Sequence, residues 1–89
     1  MTTLFLFLLE QDEATGYDTY SSCVVAAEGW DDASTIHPNP RLLGVRWWEN
    51  DDWNGEDWAT TPRRVKVTLL GTAKPSIARG VICASFHAG

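Results

Sequence analysis

The sequence predicts a small α+β domain, β-β-α-β-β in chain order, with a mainly antiparallel sheet and one short helix on a face. Three observations carry that prediction. The chain opens with six consecutive apolar residues, 4–9, in a run too short for a typical helix. Near its end Val65, Val67 and Leu69 alternate with Arg64, Lys66 and Thr68, the period-two pattern of a strand with one wet face. Between them "WDDASTIHP" combines acidic helix-start chemistry with a proline stop. At 89 residues the chain supports one core, so 1–89 reads as a single compact domain with a Trp/acid-rich segment at 41–60.

The first run, ended by "EQDEATG", reads as a strand covered on both faces and lying inside the sheet. Turn residues follow, with Gly16 the expected site of an unusual backbone angle. "TYSSCVVAAEG" supplies a second strand, strongest over 21–27, where Val24 and Val25 are β-branched. Its short separation from the first implies an antiparallel hairpin. Asp31 and Asp32 then suit a helix N-terminus, Ala33 and Ile36 share a face, and Pro38 stops a helix of about two turns. Trp30 stands at its entrance.

Residues 41–60 are ambiguous. Leu42, Leu43, Val45, Trp47 and Trp48 suit a further strand or hairpin, while "ENDDWNGED" has turn chemistry. The strand at 64–69 and a last one through 81–86 are joined by about nine residues, which favours a hairpin over a crossover. The expected core is Leu4, Leu6, Leu8, Val25, Ala33, Ile36, Val65, Val67, Leu69, Ile82 and Phe86.

Charge is unevenly spread. Seven basic residues face twelve acidic ones, a formal net of −5, and all the bases lie from Arg41 onward. Only Arg63, Arg64 and Lys66 cluster, which disfavours direct nucleic-acid binding. An acidic surface suits a basic partner. The N-terminal apolar run is too short for a signal peptide, lacks a preceding base and is followed at once by acids. No run has transmembrane length, so no membrane contact and a cytoplasmic location are expected.

Motifs for catalysis are missing: there is no phosphate-binding Gly-rich loop, Gly-x-Ser-x-Gly elbow or His-Glu-x-x-His. Ser22 or Cys23 with His37 makes a nucleophile and base only on paper. Cys23 and Cys83 sit in apolar runs and read as reduced core thiols, without the paired spacing of a zinc site. Asn50, Asp52, Asn54 and Gly55 partly match a calcium loop, but the first Asp is absent and Thr61 stands where the bidentate Glu belongs. No enzyme activity, metal or cofactor is expected.

The densest signal is "WWENDDWNGEDW", four tryptophans and five carboxylates without a base. One reading makes the rings core filler for a small domain and turns the acids to water. The other makes them anchors beside carboxylates, fitted to a groove lined by Arg and Lys. The candidate partner-binding residues are Trp48, Glu49, Asp51, Asp52, Trp53, Glu56, Asp57 and Trp58, joined by Asp12, Glu13, Tyr17 and Asp18 from the first turn.

"GYDTYSSCVVAAEGWDDASTIHP" and "VKVTLLGTAKPSIARGVICASFHAG" together resemble a family of small phage- and prophage-encoded proteins to which no catalytic motif attaches. The resemblance implies viral origin. Small acidic phage proteins include inhibitors of bacterial immunity, anti-CRISPR proteins among them, that occupy surfaces meant for nucleic acid. The resulting expectation is a non-enzymatic inhibitor, monomer or homodimer, acting on a basic, nucleic-acid-facing surface of a host defence protein or complex. The alternatives are a small-ligand or carbohydrate-binding module that stacks on Tyr17, Tyr20 and exposed tryptophans, and a self-associating structural phage component.

Overall fold

The computed structural model describes residues 3–14, 16, 18–49 and 57–87. Strands β1 (Phe5–Glu10) and β2 (Thr19–Ala27) form the expected antiparallel hairpin, with Phe5 opposite Ala27 and Glu10 opposite Ser22. Strand β3 (Lys66–Thr72) pairs antiparallel with the other side of β1, and β4 (Gly80–His87) with the other side of β2. The order is β3-β1-β2-β4, so the most apolar strand does lie inside the sheet. A small α+β domain is therefore what the chain forms.

The expected β3–β4 hairpin is not formed, because the two strands occupy opposite edges. Residues 73–79 cross the end of the sheet instead. Chain length alone cannot tell a wide hairpin from such a crossing, since seven residues can reach about 23 Å when extended and two intervening strands require only about 14 Å.

A second correction concerns which face of β1 is buried. Phe7 and Leu9 are sealed in the core, opposite Val25 and Cys23, whereas Leu6 and Leu8 are half-exposed on the other face beside Ala26 and Val24. Leu4, Leu6 and Leu8 are thus replaced as core residues by Phe7 and Leu9, with Phe5 partly buried against them. An unbroken apolar run carries no period-two phase, and a one-residue error in phase exchanges the faces. Leu69, Ile82 and Phe86 are also exposed, by 46%, 46% and 48%, because β3 and β4 are edge strands whose registers shift at bulges. Val25, Ala33, Ile36 and Val65 are buried as expected, and Val67 packs against the core from its rim.

Helix α1 (Trp30–Ser34) is shorter than the two turns expected. Gly29 is its extended N-cap, and the Asp32 carboxylate reaches back to accept the Glu28 N–H at 3.0 Å. The Ser34 and Thr35 hydroxyls donate to the carbonyls of Asp31 and Asp32, competing with further helical bonds. Trp30 meets Phe7 edge-on at 5.4 Å while remaining 52% exposed. Arg79 closes onto Asp32 through Nε and a 2.6 Å contact from its terminal nitrogen, fastening the helix to the crossing segment 73–79. Arg79 holds the Asp32 carboxyl below its usual range, against a smaller opposing effect of burial.

No strand forms over the described part of 41–60. Short 3-10 turns occupy Pro40–Leu42 and Trp47–Glu49, separated by Gly44 at φ 81°, and another covers Pro62–Arg64. These turns swing Trp47 and Trp58 onto the inner face of the sheet, where both are almost fully buried with Phe7, Leu9, Ile36 and Val25. Burying an indole removes roughly 200 Å² from water, worth about 5 kcal/mol as an upper figure. Two such rings let a small domain close its core with few residues. Among the described residues no helix is long and apolar enough to cross a membrane.

Candidate functional site

The geometry that holds the described flanks of the Trp/acid segment begins at His37, a residue with no special sequence pattern beyond the following proline. It is 1% exposed and enclosed edge-on by Tyr20, Trp47 and Trp58 at ring separations of 6.1, 5.3 and 6.3 Å. Its Nδ1 accepts the Asn39 N–H at 3.0 Å, which leaves the hydrogen on Nε2, directed at Asp57 Oδ1 3.3 Å away. Burial pushes the imidazole below its ordinary range of 6.5, and the Asp57 carboxylate pulls the other way through charge and hydrogen bonding. His37 is a neutral core histidine with both nitrogens engaged.

Asp57 is held at its backbone as well, because its carbonyl accepts the Tyr20 N–H at 2.9 Å. Three residues on, Thr60 donates its N–H and its hydroxyl to Glu13 Oε1 at 2.9 and 3.0 Å. The β1–β2 turn is itself built around Gln11. Its amide donates to the carbonyls of Ala14 and Tyr20 at 2.7 Å, and its oxygen accepts the N–H groups of Glu13 and Ala14 at 2.8 Å. Two long-range connections therefore bring the turn carrying Asp12, Glu13 and Asp18 beside residues 57–60, at one end of the sheet.

The predicted site residues separate into groups. Asp12, Glu13 and Asp18 are exposed at this end. Asp57 joins them, but with its carboxylate turned to His37 and its side chain 34% exposed. Trp58 is 1% exposed, so its ring is a core anchor rather than a contact residue. Among the described residues its indole N–H finds no hydrogen-bond partner. Trp48 is half-buried edge-on against Trp47, with the Arg46 guanidinium 5.5 Å from the centre of its ring. Glu49 pairs with Arg46 at 2.9 Å across the surface. Tyr17, Asp51, Asp52, Trp53 and Glu56 lie outside the described residues, as do Asn50 and Asn54 of the partial calcium pattern.

The acidic end is not uniformly acidic. Arg63, Arg64 and Lys66 project beside it, and a shallow groove of about 320 Å³ is lined by Glu10, Gln11, Asp12, Arg64 and Lys66. Near Trp48 a second groove of about 360 Å³ is lined by Thr35, Gly44, Val45, Arg46, Trp48 and Arg79. Both of its arginines already hold a carboxylate, Glu49 and Asp32.

Several alternative chemistries lack the required arrangement among the described residues. Burial pushes the Cys23 thiol up to about 12, so it is protonated and 2% exposed rather than poised as a nucleophile. Cys83, expected in the core, is exposed on the edge strand. Tyr20 is half-buried, lies 4.7 Å from Phe86, and shares no open stacking platform with the buried Trp47 and Trp58. Among the described residues no group of three or more His, Cys, Asp or Glu side chains converges as a metal site would require.

Sequence reasoning missed His37, Gln11 and Thr60 as the parts that join residues 57–60 to the first turn and the core. Only their chemical types were visible, and nothing in their spacing links residues separated by 20 to 47 positions. No family model, curated protein or solved structure matches the chain.

Proposed function

We propose that this chain is a non-enzymatic, phage-type inhibitor that docks a carboxylate-rich end onto a basic, nucleic-acid-facing surface of a host defence protein, in the manner of anti-CRISPR proteins. The observation supporting it most directly is the tethering of the first acidic turn to residues 57–60, the flank of the second acidic stretch. Tyr20 to Asp57 and Glu13 to Thr60 hold the first turn against the C-terminal flank of the Trp/acid segment. Trp47 and Trp58 root both flanks of that segment in the core. Carboxylates gathered this way present the charge that phosphates would otherwise bring to the partner, raising association rate and selectivity. The neighbouring Arg63, Arg64 and Lys66 supply a counter-signed margin that fixes orientation.

The partner in this reading is a protein surface inside the host cell. The test separates charge from fold. Asp12, Asp18, Asp51, Asp52 and Glu56 are replaced by Asn or Gln, sparing Asp57 and Glu13 because they hold the structure together. The unaltered chain is expected to retain a host protein after nuclease treatment, with capture that weakens as salt rises. The neutralised variant, folded by circular dichroism, should lose that capture. Equal recovery by both chains, or recovery abolished by nuclease, contradicts the reading.

A further inference from the structure

We infer that the edge of β4 that is unpaired among the described residues is a homodimerisation surface, pairing antiparallel with the same strand of a second copy. An edge strand offers unpaired N–H and C=O groups to any extended chain, and folded proteins usually blunt it with lysine, proline or another inward or edge charge. At the opposite edge β3 begins with Lys66 and shifts register opposite Leu6 and Phe7. β4 has no such charge. From Gly80 to His87 it contains no Lys, Arg, Asp, Glu or Pro, and Ile82 and Phe86 stand 46% and 48% exposed.

The identity of the partner follows from the register, and charge decides only where two copies can meet. The chain carries a net −5, so two copies repel across most of their surfaces. The uncharged edge is where that repulsion is least. The β2–β4 register shifts twice: Ile82 is an extra residue on β4, between the Val24–Cys83 and Val25–Val81 pairs, whereas opposite Ser85 and Phe86 the extra residue, Ser21, is on β2, so Cys83–His87 contains no extra residue of its own. A two-fold axis at Ser85 pairs this run with itself while keeping inner faces on one side. It sets Phe86 of each copy beside Ala84 of the other, a large side chain against a small one. Phe86 is already packed 4.7 Å from Tyr20, so little side-chain freedom is lost on pairing. The result is a continuous eight-stranded sheet. Five residues per chain make a small interface, at the transient end of the range.

The experiment measures mass by light scattering or sedimentation, with the full chain from about 10 µM to about 1 mM, a span suited to weak affinities. The wild-type chain is expected to move from monomer toward dimer across this range, and to do so at lower concentration in higher salt. Ser85 is exposed, so Ser85→Lys and Ser85→Glu should keep the native circular dichroism and melting temperature measured on dilute samples. Each variant alone should remain monomeric, because the two-fold sets like charges face to face. Mixed one to one, they should associate again as a heterodimer. A wild-type chain monomeric at the highest concentration overturns the inference, as does either variant dimerising like wild type. Failure of the mixture to associate overturns the register at Ser85. A strand captured from an unrelated protein, with no self-association, counts against the second copy as occupant.

Discussion

His37 Nε2 lies 3.3 Å from Asp57 Oδ1, and this contact joins the segment after α1 to the far flank of the Trp/acid stretch. The pair makes stability depend on pH. Burial lowers the His37 pKa from its ordinary 6.5, so the unfolded chain takes up a proton that the folded chain resists. The stabilisation is complete above about 6.5 and is lost as pH falls from there through the folded value. The guanidinium midpoint should accordingly be flat from pH 8 to 7 and decline below, by at most about 1.4 kcal/mol per pH unit from this one group. Asp57→Asn removes the carboxylate that supports protonation, so the decline should start at the same pH and continue further. A midpoint unchanged between pH 7 and 5 excludes this role for His37.

The two buried indoles should respond differently to loss of their N–H groups. Trp47 Nε1 donates to the Thr35 carbonyl at 2.9 Å, whereas Trp58 Nε1 is buried without an acceptor among the described residues. Trp47→Phe strands a carbonyl, and Trp58→Phe removes a donor that has no partner among the described residues. Both lose volume, so both should destabilise, with Trp47→Phe the worse by about 1 kcal/mol in chemical denaturation. Equal costs would mean that the Thr35 contact contributes nothing.

Thiol chemistry should distinguish the cysteines sharply. With its thiol pushed up to about 12 and its side chain in the core, Cys23 should resist an aromatic disulfide reagent at pH 8. Cys83 on the exposed edge should react. One equivalent is expected from the native chain and two after denaturation; two fast equivalents from the native chain would place Cys23 outside the core.

Asp18 has φ 59°, in the left-handed region, immediately before β2 begins. Its replacement by Gly should leave stability unchanged or raise it by up to about 1 kcal/mol, while Val should cost about 1–2 kcal/mol. Thermal melts of the two variants check this. A Val variant as stable as wild type would show that the turn relaxes to another conformation.

Much of this architecture can be read from residue patterns, and the failures share a physical origin. The β1–β2 hairpin follows from two apolar runs near each other, and α1 from Asp31, Asp32 and Pro38. Phase within residues 4–9 is illegible, because every position is apolar and only the register with Val25 and Cys23 decides which side is sealed. The β3–β4 connection misleads because a seven-residue crossing and a long hairpin have similar composition. Tryptophans at 47 and 58 mark a core or a contact surface equally well by type. Their burial depends on 3-10 turns set by Pro40, Gly44 and Pro62, which redirect the chain without any hydrophobic periodicity. The gathering of Glu13 with Thr60, and of His37 with Asp57, depends on distant contacts that no local pattern encodes.

The order of strands also sets an order of events during synthesis. β2 meets β1 as soon as the first hairpin has left the ribosome, but its other neighbour is β4, with Val25 aligned to Val81. Until translation reaches the ninth decade of the chain, the backbone of β2 has one side without a partner. A nascent or truncated polypeptide lacking residues 80–87 is thus a sticky intermediate, and shielding by a chaperone would be needed over that interval more than at any other.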